Sequence, residues 1–237
     1  MFSQDEARRF LPNGSGDPRT DPALAWELLY RLEPELYDRL ASAERLHPGV
    51  IGWLPDNVNR IVEVAAGTGR LTSELLRRAR EIVAIEPAAP LREILKRKLA
   101  LVDHTRGVHV TDGFFDELPV TDGWADVVIT CSALTPMAGH GGEAGLAEME
   151  RVCRPGGRVV VVWPNAVRWL AVHGYRRLSF DGEMFVEFAT HAEAAEVIEI
   201  FYPRAIAEVR RHRWRRVPYD VLGTNPPRDL AFKVIAR

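Results

Sequence analysis

The chain has 237 residues, 46% of them hydrophobic and 27% charged, with 31 Lys+Arg against 33 Asp+Glu for a formal net charge of -2. That length buries one sizeable α/β core without a second domain, and the composition excludes disordered and fibrous classes. The near-neutral balance offers no global attraction to nucleic acid or to an anionic membrane, so partners of either kind would need a local patch.

Residues 1–20, rich in Pro, Gly, Asp and Ser, read as a mobile leader, and 21–237 as a single domain. Asp21-Pro22 reads as an N-cap followed by Pro at the first helical position, opening the helix ALAWELLYRL. A second helix, PELYDRLASAERL, stops at His47-Pro48-Gly49, so 21–58 forms an N-terminal helical cap.

From Arg60 short apolar runs alternate with amphipathic stretches. The pattern predicts strands at 60–65, 81–86, 108–112, 125–130 and 157–163, with helices at 70–80, 90–101 and 143–153. The order implies an α/β fold: a mostly parallel seven-stranded sheet, right-handed crossovers, helices on both faces and a C-terminal antiparallel hairpin strand.

Residues 164–189 hold several aromatics without a clean period and read as an insertion or lid. The 190–237 tail reads as a helix (190–201) and two strands, AIAEVRRHRWRRV and DLAFKVIAR, joined by a turn at 223–227. On a strand, the run Arg210-Arg211-His212-Arg213-Trp214-Arg215-Arg216 splits between two faces, a pattern of solvated edge charge and not a nucleic-acid stripe. Cys131 and Cys153, the two cysteines, have no zinc or disulfide spacing, so no metal site is expected and a reducing, cytoplasmic setting fits. No apolar run has signal-peptide or membrane-spanning length, and the dominance of arginine over only three lysines suggests a bacterial, GC-rich origin.

The stretch Ile61-Val62-Glu63-Val64-Ala65-Ala66-Gly67-Thr68-Gly69 carries the chemistry. Strand, glycine turn and helix in succession let backbone approach a ligand and leave helix N–H groups free to bind it. Read as G-x-G-x-x-G, the pattern has Thr72 where the third glycine belongs, which disfavours a nicotinamide dinucleotide. Glu86 ends the second strand, where a carboxylate accepts hydrogen bonds from ribose hydroxyls, and Pro87 follows it.

Read as acidic-x-G-x-G-x-G, the turn resembles motif I of the class I S-adenosylmethionine-dependent methyltransferases, with Ala65 in the first glycine place. The resemblance covers roughly 60–163, with Asp126 to Thr130 similar to the family's fourth strand and Arg154-Pro155-Gly156-Gly157 to its turn before the fifth. It implies S-adenosyl-L-methionine as cofactor. It places Glu63 under the turn near the methionine end, Gly67, Thr68 and Gly69 against the cofactor, Asp112 and Gly113 by the adenine, and Phe114 on the ring; Thr130 ends the neighbouring strand.

The function expected is methyl transfer to oxygen or nitrogen of a small-molecule acceptor. An NAD(P)-dependent oxidoreductase on a related fold, or a non-catalytic cofactor-binding subunit, are the competing readings. Base candidates are His140 in a glycine-bordered loop, and His173 and Tyr175 in the 164–189 stretch. Tyr37 reads as helix core more than as a cofactor contact. Acceptor identity and oligomeric state leave no signature.

Overall fold

The computed structural model describes residues 22–103 and 107–236. The leader and the Asp21 cap lie outside them.

Helices α1 (Pro22–Leu32), α2 (Pro34–Ala43) and α3 (Pro48–Trp53) precede the sheet. Pro48, expected only to end a helix, also starts one: it occupies the first turn, where its missing N–H costs nothing, and His47 Nδ1 accepts from Gly49 N at 2.9 Å.

Strands β1 (Val58–Val64), β2 (Ala79–Ile85), β3 (Val108–Thr111), β4 (Ala125–Cys131) and β5 (Cys153–Val162) are mutually parallel. They alternate with helices α4 (Thr72–Leu75), α5 (Ala89–Leu99) and α6 (Gly142–Val152), and α7 (Val167–Val172) follows β5. The inner stretches of the central strands are mostly apolar because both faces are covered; Ile61, Val62, Val128, Ile129, Val160 and Val161 are fully buried. Strand β6 (Arg176–Ser179), a second ribbon strand β7 (Phe185–Glu187), α8 (His191–Phe201), α9 (Ile206–His212), β8 (Arg216–Pro218), α10 (Tyr219–Leu222) and β9 (Asp229–Val234) complete the chain.

The seven-stranded sheet has order β3-β2-β1-β4-β5-β9-β6, and β7 pairs with β8 separately. The mostly parallel α/β fold stands as expected. From β1 the chain winds outward through β2 and β3, then returns to β4 on the other side of β1. The crevice at the carboxyl ends of β1 and β4 is therefore a topological switch point, the place where open α/β sheets bind ligands.

Three elements differ from the sequence reading. The helix expected at 70–80 shrinks to Thr72–Leu75, because Val58 pairs with Ala79 and draws 79–85 into β2, overriding local helix preference. The tail segment expected as a strand is helix α9: Ala205 and Val209, four apart, share the buried face, a helical period and not an alternating one. It stops at Arg213 in the left-handed region (φ 51°). The antiparallel C-terminal strand β9 is present, but its neighbours are β5 and β6, not the residues preceding it. Residues 164–189 supply α7, the edge strand β6 and the ribbon strand β7. No helix among the described residues is long and apolar enough to cross a membrane.

Candidate active site

The turn after β1 is built around positive φ angles: Ala65 at 57°, Gly67 at 57° and Gly69 at 96°. Glycine meets this without strain, whereas Ala65 carries a Cβ in the left-handed region and costs about 1 kcal/mol. A Cβ on Gly69 would stand 2.6 Å from Leu95 Cδ1, and one on Gly67 would stand 3.4 Å from the Tyr37 hydroxyl. Gly69 serves helix packing and Gly67 keeps the turn's upper surface open.

Glu86, at the end of β2, organises this turn. Its Oε2 accepts from Gly67 N and its Oε1 from Ala88 N, each at 2.8 Å. Burial pushes its carboxyl above the usual range, opposed by those two amides. Beneath the turn, Glu63 is 1% exposed and its Oε2 has no hydrogen-bond partner among the described residues. Burial in the apolar sheet pushes its carboxyl up to about 8, so at neutral pH it holds its proton. Thr72 faces Glu63 and opposes that rise, while the hydroxyls of Thr68 and Thr130 are buried without hydrogen-bond partners among the described residues. A void of about 20 Å³ touches Glu63, Thr68 and Arg70, large enough for one water molecule.

Above the turn lies a cavity of about 400 Å³. Of the residues expected at the cofactor site, Ala65, Gly67, Glu86, Pro87, Gly113 and Phe114 line it together, and so does His140 from a single 3-10 turn. Glu63 and Thr68 face the small void below, Gly69 packs on Leu95, and Thr130 is fully buried, leaving Cys131 and Ser132 to line the cavity.

Asp112 does not join them. Arg92 of α5 accumulates negative partners at the strand ends, donating to the Glu86 and Pro87 carbonyls and to Asp112 Oδ1 at 2.9 Å. This turns the Asp112 carboxylate outward, 65% exposed.

Two of the base candidates are elsewhere. His173 Nε2 lies 2.7 Å from Glu143 Oε2 and its Nδ1 lies 2.9 Å from the Trp169 carbonyl, an arrangement joining α6 to α7. The Trp169 carbonyl first, and Glu143 with it, hold the imidazole above its ordinary range. Tyr175 donates to Glu150 at 3.1 Å in the core, and burial, then the Glu150 charge, raise its phenol well above normal. Neither lines the cavity, because both lie on the β5 and α6 side of the sheet.

Of the residues on the cavity's opposite wall, only Tyr37 was weighed in the sequence. Trp26, Glu27 and Tyr30 come from α1, Tyr37 from α2, Trp163 and Asn165 from the end of β5, and Tyr202 from the end of α8. Tyr37, read as core, packs edge-on against Tyr30 with ring centroids 4.8 Å apart while its hydroxyl overlooks Gly67.

Arg70, directly after Gly69, donates from Nη1 to Glu44 Oε2 at 2.7 Å, and Glu44 Oε1 accepts from Tyr202 at 3.0 Å. Burial works against the Arg70 charge, but the acidic groups around it, Cys131, Glu44 and Tyr37 among them, outweigh that and keep it protonated. A cation set immediately behind a glycine turn was the one available sequence signal for this wall.

Residues 61–157 match the model of a methyltransferase-domain family. An uncharacterised methyltransferase of Mycobacterium tuberculosis is 33% identical over 120 residues, 49% of this chain and 44% of that protein. One from Anoxybacillus flavithermus is 31% identical over 104 residues, 43% and 45% of the respective lengths. The matched stretch thus spans less than half of these curated relatives.

Among solved structures, the complex between the Haloferax volcanii Trm112 methyltransferase activator and a methyltransferase gives a TM-score of 0.52 at 18% identity, covering 90% of this chain and 95% of that one. A SAM-dependent O-methyltransferase from Thermotoga maritima gives 0.51 at 11%, covering 82% and 67%. At such identities these two report the fold.

Proposed function

We propose that the core of this chain, which matches a methyltransferase-domain family model over residues 61–157, is that of a class I S-adenosylmethionine-dependent methyltransferase, and that it transfers a methyl group from S-adenosylmethionine to an oxygen or nitrogen of a small-molecule acceptor. The observation that carries this is the convergence of Ala65, Gly67, Glu86 and Gly113 on one wall of a 400 Å³ cavity at the switch point, with an aromatic and polar wall opposite.

The residues present fit the cofactor. The turn keeps its upper face free of side chains at Gly67, Glu86 offers lone pairs beyond the two it uses, and Glu63 has an orphaned oxygen below. Ala65 and Gly67 would hold the methionine end, Glu86 the ribose, and Gly113 with Phe114 the adenine. When bound, S-adenosylmethionine supplies an electrophilic methyl on a good leaving group. The protein's part is alignment and exclusion of water, and positioning of this kind contributes roughly 7 to 11 kcal/mol when the geometry is near attack.

Trp26, Tyr30 and Tyr37 line the cavity and would shield the reacting atoms from water. Asn165, whose Nδ2 donates to the Ser132 carbonyl at 3.0 Å, fixes the loop after β4 that faces the acceptor. His140 is the base candidate that reaches the cavity, and it accepts the acceptor's proton if that atom is a hydroxyl or an ammonium. The two free cysteines suit a reducing compartment, and we assign the protein to the cytoplasm.

Calorimetric titration with S-adenosylhomocysteine, with NADH and NADPH as controls, tests the reading. Micromolar binding of the first alone supports it. Preference for a dinucleotide, or no binding of S-adenosylhomocysteine, overturns it.

A further inference from the structure

His140 reaches the cavity from a loop that is closed on itself. The Thr135 N–H donates to the His140 carbonyl and the Gly142 N–H to the Thr135 carbonyl, each at 3.0 Å, which ties the 3-10 turn Ala138–His140 to the start of α6. Gly141 and Gly142 make the junction with φ angles of 99° and 55°, a region glycine enters without strain. Glu143 is the first side chain beyond them.

The Glu143 carboxylate is gripped from α7. Trp169 Nε1 donates to its Oε1 and His173 Nε2 lies against its Oε2, both at 2.7 Å, from residues one helical turn apart. α7 is itself anchored in the core by the buried Leu170.

The imidazole meets two acceptors at once. Its Nδ1 faces the Trp169 carbonyl at 2.9 Å, and its Nε2 faces the carboxylate. A neutral imidazole carries one N–H and can serve only one of them, so both contacts are made by the imidazolium. The Trp169 carbonyl, then Glu143 and Glu150 of α6, favour that form. The cations of the neighbouring strands are engaged elsewhere: Lys233 with Glu150, Arg177 with Asp229 and Arg176 over the Phe232 ring. Arg168, on α7 itself, is exposed.

We propose that Glu143 is a positioning residue: gripped by Trp169 and protonated His173, it holds the His140 loop against the cavity, and the grip loosens when His173 loses its proton. The inference rests on the methyltransferase reading for what the cavity does, and not for the grip. His173 would then influence the site through Glu143 without touching a ligand. The grip is complete below the ordinary imidazole value of 6.5 and weakens as pH rises through the higher folded value.

The test is hydrogen exchange followed by mass spectrometry on the full chain, with each rate divided by the intrinsic rate at that pH to give a protection. Peptides over 133–142 report the loop through the bonded amides of Thr135, His140 and Gly142, and peptides over α5 report global stability. From pH 6 to pH 8.5 the loop should lose roughly threefold or more of its protection beyond any change in α5, the scale of one exposed charge-assisted hydrogen bond. Glu143→Gln and His173→Gln should each abolish that excess.

Loop protection that tracks α5 at every pH overturns the proposal in the wild type alone, where folding of a variant is not at issue. An excess pH dependence undiminished in both variants overturns it as well. Wild-type protein is titrated with S-adenosylhomocysteine in parallel. Failure to bind sinks the methyltransferase reading and leaves the exchange result standing, so the two failures are told apart.

Discussion

Glu63 is the residue whose chemistry can be read out without knowing the acceptor. Its carboxyl is buried in the sheet with one oxygen unpartnered and holds its proton up to about pH 8, against an ordinary value of 4.5. The raised folded value means that between those two pH values the unfolded chain has lost a proton that the native chain keeps. Stability from this group is full below 4.5 and falls as pH rises towards 8, by about 1.4 kcal/mol per unit. Across the window the loss is on the order of 4 kcal/mol, or on the order of 10 °C in melting temperature for a chain of this size.

Glu63→Gln keeps the shape and removes the titration. The melting temperature of the variant should therefore fall less steeply than that of the wild type from pH 5 to pH 8, the two curves separating progressively. A second consequence concerns binding. A cationic ammonium placed over the turn favours ionised Glu63, so cofactor binding at pH 7 should release a proton. Calorimetry in buffers of different ionisation enthalpy measures that proton, which should vanish in Glu63→Gln. Parallel melting curves across the pH range, together with no proton release, would refute the reasoning.

Glu86→Gln replaces one acceptor with a donor facing a backbone N–H, at Gly67 or Ala88; a loss of roughly 1 to 3 kcal/mol in denaturant unfolding and a marked loss of S-adenosylhomocysteine affinity are expected. Gly69→Ala places a methyl 2.6 Å from Leu95 at φ 96° and should cost roughly 1 to 3 kcal/mol by thermal unfolding; an unchanged melting temperature would show that the turn adapts freely. Asp112→Asn should change stability by less than about 1 kcal/mol and cofactor affinity by less than about twofold, since the carboxylate faces solvent and Arg92; a large affinity loss would mean that it turns inward on binding.

Asp126 accepts from Asn59 N, Arg60 N and Arg154 Nε, tying the start of β1 to β4. Burial opposes its ionisation, but Arg154 and the two amides win and hold its carboxyl below the usual value of 3.8. Its contribution is therefore present above pH 3.8 and lost as pH falls through the folded value, and Asp126→Ala should shift acid unfolding, followed by circular dichroism, to higher pH.

What local sequence determines here is what neighbours in the chain can enforce. The apolar runs at 61–64 and 125–130 have to be strands covered on both faces, and Gly67 and Gly69 meet positive φ angles that other residues take only at a cost. Glu86, one residue past β2, reaches the turn through parallel pairing that any βαβ unit supplies. Those features made the fold and one wall of the cavity legible.

The tertiary structure alone decided the rest. Arg70 and Glu44 are 26 positions apart, and Glu44 and Tyr202 are 158 apart. No period or motif links them; they meet because the strand order brings the ends of β1, β4 and β5 to one crevice, over which α1 and α2 close. Asp112 shows the converse, since a residue in the expected place was turned away by Arg92, twenty positions earlier on α5. Helix α9 formed where the tail was read as a strand because only burial of Ala205 and Val209 against a distant core selects between the two periods. Short-range sterics and burial patterns are written in the chain, whereas the partners of a buried charge are chosen by packing between segments far apart in it.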